Sequence, residues 1–240
     1  MLTLLCSLLV VLTVGSSAPD FDDALVAHYT FDQCDGRDAL DGRSDATVYG
    51  VGACRCGVVN DALAFDGRST YLEFTGPVND YFTTSDFTVS YYLKPDGHQG
   101  LPQALLTKAA DCSLDGSLAL TYTSGTRTLD ARLHETEHKS YRHLDYALPG
   151  PGWLHYTLVR EGGEARTYLN GELQRETRRC SGVDLSSAAP LQFGKPHCRT
   201  AAYRGLLDEL RIYDRALTEA EVRALYRRAP VETAEADCVS

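Results

Sequence analysis

The chain is 240 residues long, 43% hydrophobic, and carries a formal net charge of −10. That length and composition allow a sizeable core, in one large domain or two small ones. An acidic balance with no cluster of Lys or Arg argues against nucleic acid, whose binding rests on neutralised phosphates, and against an anionic membrane surface.

Residues 1–19 carry no charged side chain, and 2–14 are almost wholly apolar. Small residues follow at 15–18. The pattern predicts a signal peptide over 1–18, cut near Ser17 or Ala18. The apolar run is short for a membrane span of about 20 residues, and nothing later is long and apolar enough to cross. The domain is expected over 20–229, with a short acidic tail over 230–240.

Residues 24–31 read as a strand. An Asp- and Gly-rich loop follows over 32–52. Residues 62–65 and 71–74 flank Asp66-Gly67 and read as a hairpin. Further strands are expected at 87–93, 103–107, 117–123, 129–133, 153–160 and 165–169. Asn170-Gly171 suits a type I′ turn into 172–176, because both central residues need positive φ. One more strand is placed at 190–194. In the closing stretch, Leu207, Leu210 and Ile212 alternate imperfectly with polar residues, as in a strand buried on one face. Then the period changes. Thr218 and Glu221 form a capping box, Val222, Leu225 and Tyr226 share a helical face, and Pro230 ends the pattern. Many short strands with a single convincing helix predict an all-β sandwich or jelly roll.

Cys6 would leave with the leader, and seven cysteines remain. Export makes disulfides the expectation. Cys54-Arg-Cys56 is not a CxxC pair, which argues against zinc. Six cysteines can pair in 15 ways. The expected pairings are Cys34 with Cys54 or Cys56, and Cys180 with Cys198. Cys238 is left over or ties the tail back.

Six pieces, in this order and spacing, are similar to the laminin-G-like, concanavalin A-like jelly-roll family: Leu25 to Asp32, Ala62 to Gly67, Phe87 to Ser90, Trp153 to Arg160, Tyr168 to Gly171, and Gly205 to Tyr226. The resemblance covers nearly all of the chain after the leader. It implies two packed antiparallel sheets, one concave face, and loops at its rim. It does not imply one function, since such folds serve carbohydrate-binding modules, adhesion domains and glycoside hydrolases.

The resemblance also implies a structural Ca2+ between first and last strands. An Asp in mid-strand disfavours strand propensity, and a hard cation needing several oxygens would explain Asp208. Asp32 is the second expected ligand, and Asp66 and Asp45 are the weaker ones. The alternative is that Asp208 pairs with a cation or caps a turn, with Glu209 facing solvent.

His134-Glu135-Thr136-Glu137-His138 matches the HExxH string of zinc proteases, whose chemistry needs a helix. Leu129, Ala131 and Leu133 alternate before it, so the string is expected on an exposed hairpin tip, where His143 could join an adventitious metal. Glycoside hydrolysis needs two carboxyls about one bond; Glu135/Glu137 and Glu219/Glu221 are spaced pairs in the wrong settings. Trp153 is assigned to the core. Tyr91, Tyr92, Tyr122, Tyr141 and Tyr146 could stack on a sugar, or be ordinary strand residues. The expectation is a secreted or cell-surface, non-catalytic binding or adhesion module for carbohydrate or a surface protein. The alternatives are a glycoside hydrolase on the same fold and, last, a zinc protease.

Overall fold

The computed structural model describes residues 21–97, 100–110, 112, 115–136, 138–141, 146–148, 150–179 and 181–231. Its strands are β1 Leu25–Tyr29, β2 Ala46–Tyr49, β3 Ala53–Cys56, β4 Asp61–Asp66, β5 Tyr71–Phe74 and β6 Phe87–Pro95. They continue as β7 Gln103–Lys108, β8 Ser117–Thr123, β9 Thr128–Thr136, β10 Lys139–Tyr141 and β11 Tyr146–Ala147. The last are β12 Leu154–Glu161, β13 Glu164–Leu169, β14 Glu172–Arg178, β15 Gln192–Phe193 and β16 Arg204–Tyr213, before helix α1 Glu219–Arg228.

Two antiparallel sheets form. The first runs β14-β13-β12-β6-β16-β4-β3, with β1 also on β16; the second runs β10-β9-β8-β7-β15-β5-β2, with β11 also on β9. This is the expected jelly-roll sandwich with a C-terminal helix. Alternate residues of each sheet meet between them: Tyr91, Leu93, Tyr156 and Leu158 face Leu120, Leu133 and Phe193 in one apolar cluster.

The middle of the first sheet's outer face is also buried. Phe21, Val159, Tyr168 and Tyr213 pack under Leu217, Val222 and Leu225 of the helix segment. Trp153 and Tyr92 form a smaller cluster with Ala62. Helix α1 starts as expected: the Thr218 side chain accepts from the Glu221 N–H, and the Glu221 carboxylate accepts from the Thr218 N–H. Asn170 and Gly171 both have positive φ, 50° and 77°, as the turn from β13 to β14 requires.

Two expectations are corrected. Residues 62–65 and 71–74 are not a hairpin: β4 pairs with β16 and β3, while β5 pairs with β2 and β15 in the other sheet. The Asp66-Gly67 turn carries the chain across the sandwich. The loop over 32–52 also contains a strand, β2, at the edge of the second sheet.

Thr218→Ala leaves the Glu221 N–H without its cap. It should cost about 1 kcal/mol and lower Tm by about 2–4 °C, read by thermal unfolding.

Candidate functional site

With the first sheet covered on its outer side, the outer face of the second sheet is the one open to a ligand. Register puts Thr47, Glu73, Gln192 and Thr107 in one row across it, and Tyr49 and Tyr71 in the next. Beside these rows lies an open cleft of roughly 680 Å³, lined by Glu73, Gln192, Lys195 and His197 with walls from Ala109 and Ala189. Its two bounding loops are joined by the disulfide Cys112–Cys198. Glu73 is the cleft's one lining carboxylate among the described residues. Its Oε2 accepts from Gln192 Nε2 at 2.7 Å and lies 3.6 Å from Lys195 Nζ. The buried His197 Nε2 has no hydrogen-bond partner. A smaller recess of roughly 300 Å³ sits at one end of the sandwich, between residues 95–97 and 150–152 with Tyr122 and Arg127.

The expected Cys180–Cys198 pairing is therefore replaced by Cys112–Cys198. The chain leaves the sheet after Gly194, which bonds Leu105, and returns at Ala201, which bonds Pro102. That excursion brings Cys198 to Cys112. Cys180 and Cys238 lie outside the described residues. Cys34 is bonded to Cys54, and Cys56 is also disulfide-bonded.

The four expected calcium ligands are not gathered. Among the described residues no group of three His, Cys, Asp or Glu side chains is placed to share a metal. Asp66 caps its own turn: Oδ1 accepts from Arg68, Ser69 and Thr70 N–H, and Oδ2 from Ser69 Oγ. Burial works against this carboxylate, but the Thr70, Arg68 and Ser69 N–H groups outweigh it and hold it well below the usual range. Asp45 Oδ1 accepts from Asp38 N–H at 2.9 Å. Asp32 Oδ1 accepts from Asp61 N–H at 3.4 Å.

Asp208 is different. It is fully buried. Oδ2 accepts from Val58 and Val59 N–H at 2.7 and 3.0 Å, while Oδ1 has no partner. Burial, with the neighbouring Glu209 charge, pushes its carboxyl up to about 8 against hydrogen bonding from the Val59, Val58 and Glu209 backbone N–H groups. Glu209 does not face solvent, contrary to expectation. Its φ of 50° falls at a bulge, and it is buried against His28 Nε2 at 2.9 Å and the Arg211 guanidinium. Burial would raise this carboxyl, but the His28 bond and the Arg211 charge hold it below its usual value.

The HExxH string is a strand running into a turn, as expected from its alternation. The expected exposure is corrected at its first residue: His134 is buried on β9, opposite Ser117 and Ser140, while His138 is exposed. Glu135 is engaged by Lys139 Nζ at 2.6 Å and Asp184 N–H at 2.7 Å. Glu137 and His143 lie outside the described residues.

Four of the five tyrosines singled out from sequence are not surface groups. Tyr91, Tyr92, Tyr122 and Tyr141 are buried, as is Trp153; the side chain of Tyr146 lies outside the described set. The half-exposed pair is Tyr49 and Tyr71, whose rings stack at 4.5 Å and 7°. The β-prone run Ala46-Thr47-Val48-Tyr49 was the signal for it, hidden among aspartates and glycines.

A buried Ser90–His155 pair also went unremarked in the sequence. Ser90 Oγ lies 2.7 Å from His155 Nε2, and Thr157 Oγ1 donates to Ser90 at 3.1 Å. Tyr92 and Tyr226 lie against the imidazole ring. No substrate reaches a serine at 1% exposure, so this pair packs the sheet rather than cleaving bonds.

The sequence matches the family Laminin_G_3, of the concanavalin A-like lectin/glucanases superfamily, over residues 66–223. The chain belongs to this family. Solved structures share the concanavalin A-like fold at low identity. Domain 4 of a GH43 extracellular arabinanase from Geobacillus stearothermophilus, in complex with arabinotriose, is 22% identical at TM-score 0.67, covering 84% of this chain and 98% of that one. The binding domain of Paraclostridial Mosquitocidal Protein 1 is 18% identical at TM-score 0.72, covering 87% and 53%. The binding domain of botulinum neurotoxin DC, in complex with SialylT, is 11% identical at TM-score 0.68, covering 88% and 52%. This chain thus spans about half the length of the toxin binding domains. No curated protein matches the chain.

Burial depresses the His155 imidazole to about 3, with Arg211 adding to the effect. An unfolded chain takes up this proton near pH 6.5 and the folded one does not. The stability is present above pH 6.5 and is lost as pH falls towards 3. From pH 7 to pH 4 the loss from this group should be on the order of 2–3 kcal/mol. His155→Gln should flatten that part of the urea-unfolding profile.

Proposed function

We propose that this family member is an exported, non-catalytic binding module that recognises carbohydrate through the outer face of its second sheet. The observation that carries the reading is the contrast between the two outer faces. One is buried under α1 and the 21–24 segment, and the other holds a cleft framed by Cys112–Cys198. Disulfides fit an oxidising compartment, and the leader read over 1–18 supplies the route. The cleft offers polar groups beside apolar walls, the usual make-up of a small-ligand site. Its chemistry suits binding better than hydrolysis. Glycosidases place two carboxyls about the scissile bond. Here Glu73 stands without a second lining carboxylate among the described residues, tied to Gln192 and Lys195. The neighbours solved with arabinotriose and with SialylT support a saccharide as ligand.

The test is calorimetric titration of the secreted domain with arabinotriose and a panel of neutral oligosaccharides. Binding is expected in the micromolar to millimolar range, weakened about tenfold in Glu73→Gln, which loses a charge-assisted hydrogen bond. No binding of any saccharide at millimolar concentration overturns the reading.

A structural Ca2+ at Asp208 belongs to the same proposal. The support is narrow and specific: protonated or ionised, Oδ1 is a buried polar atom without a partner, a cost that a bound cation removes. Asp32 reaches Asp61 in the turn region that Asp208 caps through Val58 and Val59, so these two acids would hold the ion. When bound, the ion would neutralise Asp208 and tie β16 to the first loop. Millimolar Ca2+ should raise Tm by several degrees in the unmodified protein and leave Asp208→Asn unmoved. Equal response of the two proteins, or none in either, removes the ion from this site.

A further inference from the structure

The outer face of the second sheet carries a three-membered ladder. Strand order places β2, β5 and β15 side by side, with β2 at the edge. Tyr49 of β2 stacks on Tyr71 of β5 at 4.5 Å, the rings 7° from parallel. Lys195, just past β15, holds its ammonium 4.9 Å from the Tyr71 ring centroid. The Tyr49 ring covers one face of Tyr71, so Lys195 occupies the other. Tyr71 is therefore covered on both faces, and the far face of Tyr49 looks out beyond the sheet edge. Tyr49 is 39% exposed and the neighbouring Val51 is 77% exposed.

The support beneath this ladder is rigid. Gly50 has φ +78°, and a Cβ there would lie 2.6 Å from the Ser69 carbonyl oxygen, so the end of β2 is pressed against the turn that Asp66 caps. Thr70 Oγ1 in that turn donates to the Val51 carbonyl at 3.2 Å. The backbone beside Tyr49 is thus fixed, and the stack on Tyr71 orients its ring before any ligand arrives, which lowers the ordering cost of binding.

We infer that the open face of Tyr49, flanked by Val51, is an end-stacking subsite for a neutral sugar ring whose chain runs on towards Glu73 and Gln192. This rests on the carbohydrate-binding reading above and names where one residue of the glycan sits. One phenol ring and one isopropyl group match the apolar face of a single sugar, and fall far short of the ~800 Å² per partner of a stable protein interface. Tyrosine suits the task, with a flat apolar ring and a polar tip. Hydroxyl partners lie alongside: Thr47 and Glu73 form the next cross-strand row, with Gln192 beyond. A neutral sugar is favoured over an acidic one because the ladder's cation, Lys195, is already faced by Glu73 and the Tyr71 ring.

The experiment is titration of the full domain with arabinotriose, xylotriose and cellotriose, taking the tightest forward to variants. Tyr49→Ala should weaken it about tenfold and Tyr49→Phe by less than about twofold, the stacking share of an aromatic contact. Leu173→Ala, on β14 at the edge of the other sheet, should bind as the unmodified protein does, and near-ultraviolet circular dichroism checks that each variant is folded. Undiminished binding by Tyr49→Ala overturns the subsite alone, whatever Glu73→Gln does. No binding of any trisaccharide by the unmodified domain overturns both the subsite and the reading it rests on.

Discussion

Strand β16 has a different neighbour at each end of one flank. Its first half, Arg204 to Leu207, pairs with β4, and its second half, Leu210 to Tyr213, pairs with β1. β6 runs along the other side, with the register broken between Asp208 and Arg211. Asp208 and Glu209 fall in the gap where one neighbour gives way to the other. Backbone groups there would be left without ladder partners, and buried polar groups must find some. The two acids bridge the gap to both neighbours with their side chains. Asp208 caps the loop between β3 and β4 through Val58 and Val59, and Glu209 holds His28 of β1. The bulge at Glu209 lets two adjacent residues both be buried on the side of the strand away from Leu207 and Leu210, which a regular strand forbids. The sandwich closes around this junction.

The same junction explains what could and could not be read from the sequence. The strand, the capping box and the fold class follow from periods of two and of 3.6, which single residues announce. The imperfect alternation across Leu206 to Tyr213 recorded the bulge, but the spacing alone gave Glu209 no buried partner. Ala62–Phe65 and Tyr71–Phe74 have the pattern of a hairpin because the same Asp-Gly signal starts a turn within a sheet or a crossing between sheets. Only tertiary pairing separates the two. The disulfide that frames the cleft joins residues 86 apart, beyond any local rule. Tyr49 and Tyr71 sit 22 positions apart and become neighbours only when β2 pairs with β5.

The two faces of the sandwich divide the labour. Helix α1 and the 21–24 segment cover the first sheet with apolar contacts, including the arginine of Arg228 over the Phe21 ring at 4.3 Å. The second sheet keeps its outer side polar and bounded by loops. Loops held by a covalent bond keep a fixed shape while their side chains vary. Asp66 would support the proposed site from a distance: its carboxylate organises the turn on which both the Tyr71 strand and Val51 rest.

The ends of the first sheet have a further consequence. Its edge strand β14 is exposed along most of its length and carries Glu172, Arg175, Glu176 and Arg178. At the opposite edge, β3 contains Cys54 and Cys56, both in disulfides. A partner strand seeking backbone hydrogen bonds would meet charge at one border and a covalent staple at the other. Recognition by strand addition, which reads main chain and tolerates many sequences, is disfavoured along both borders of this sheet. Under the proposed reading discrimination then falls to side chains, and Tyr49, Tyr71, Glu73 and Gln192 all stand on strands of the other sheet, so a change of specificity would be written on strand positions that pairing already holds in place.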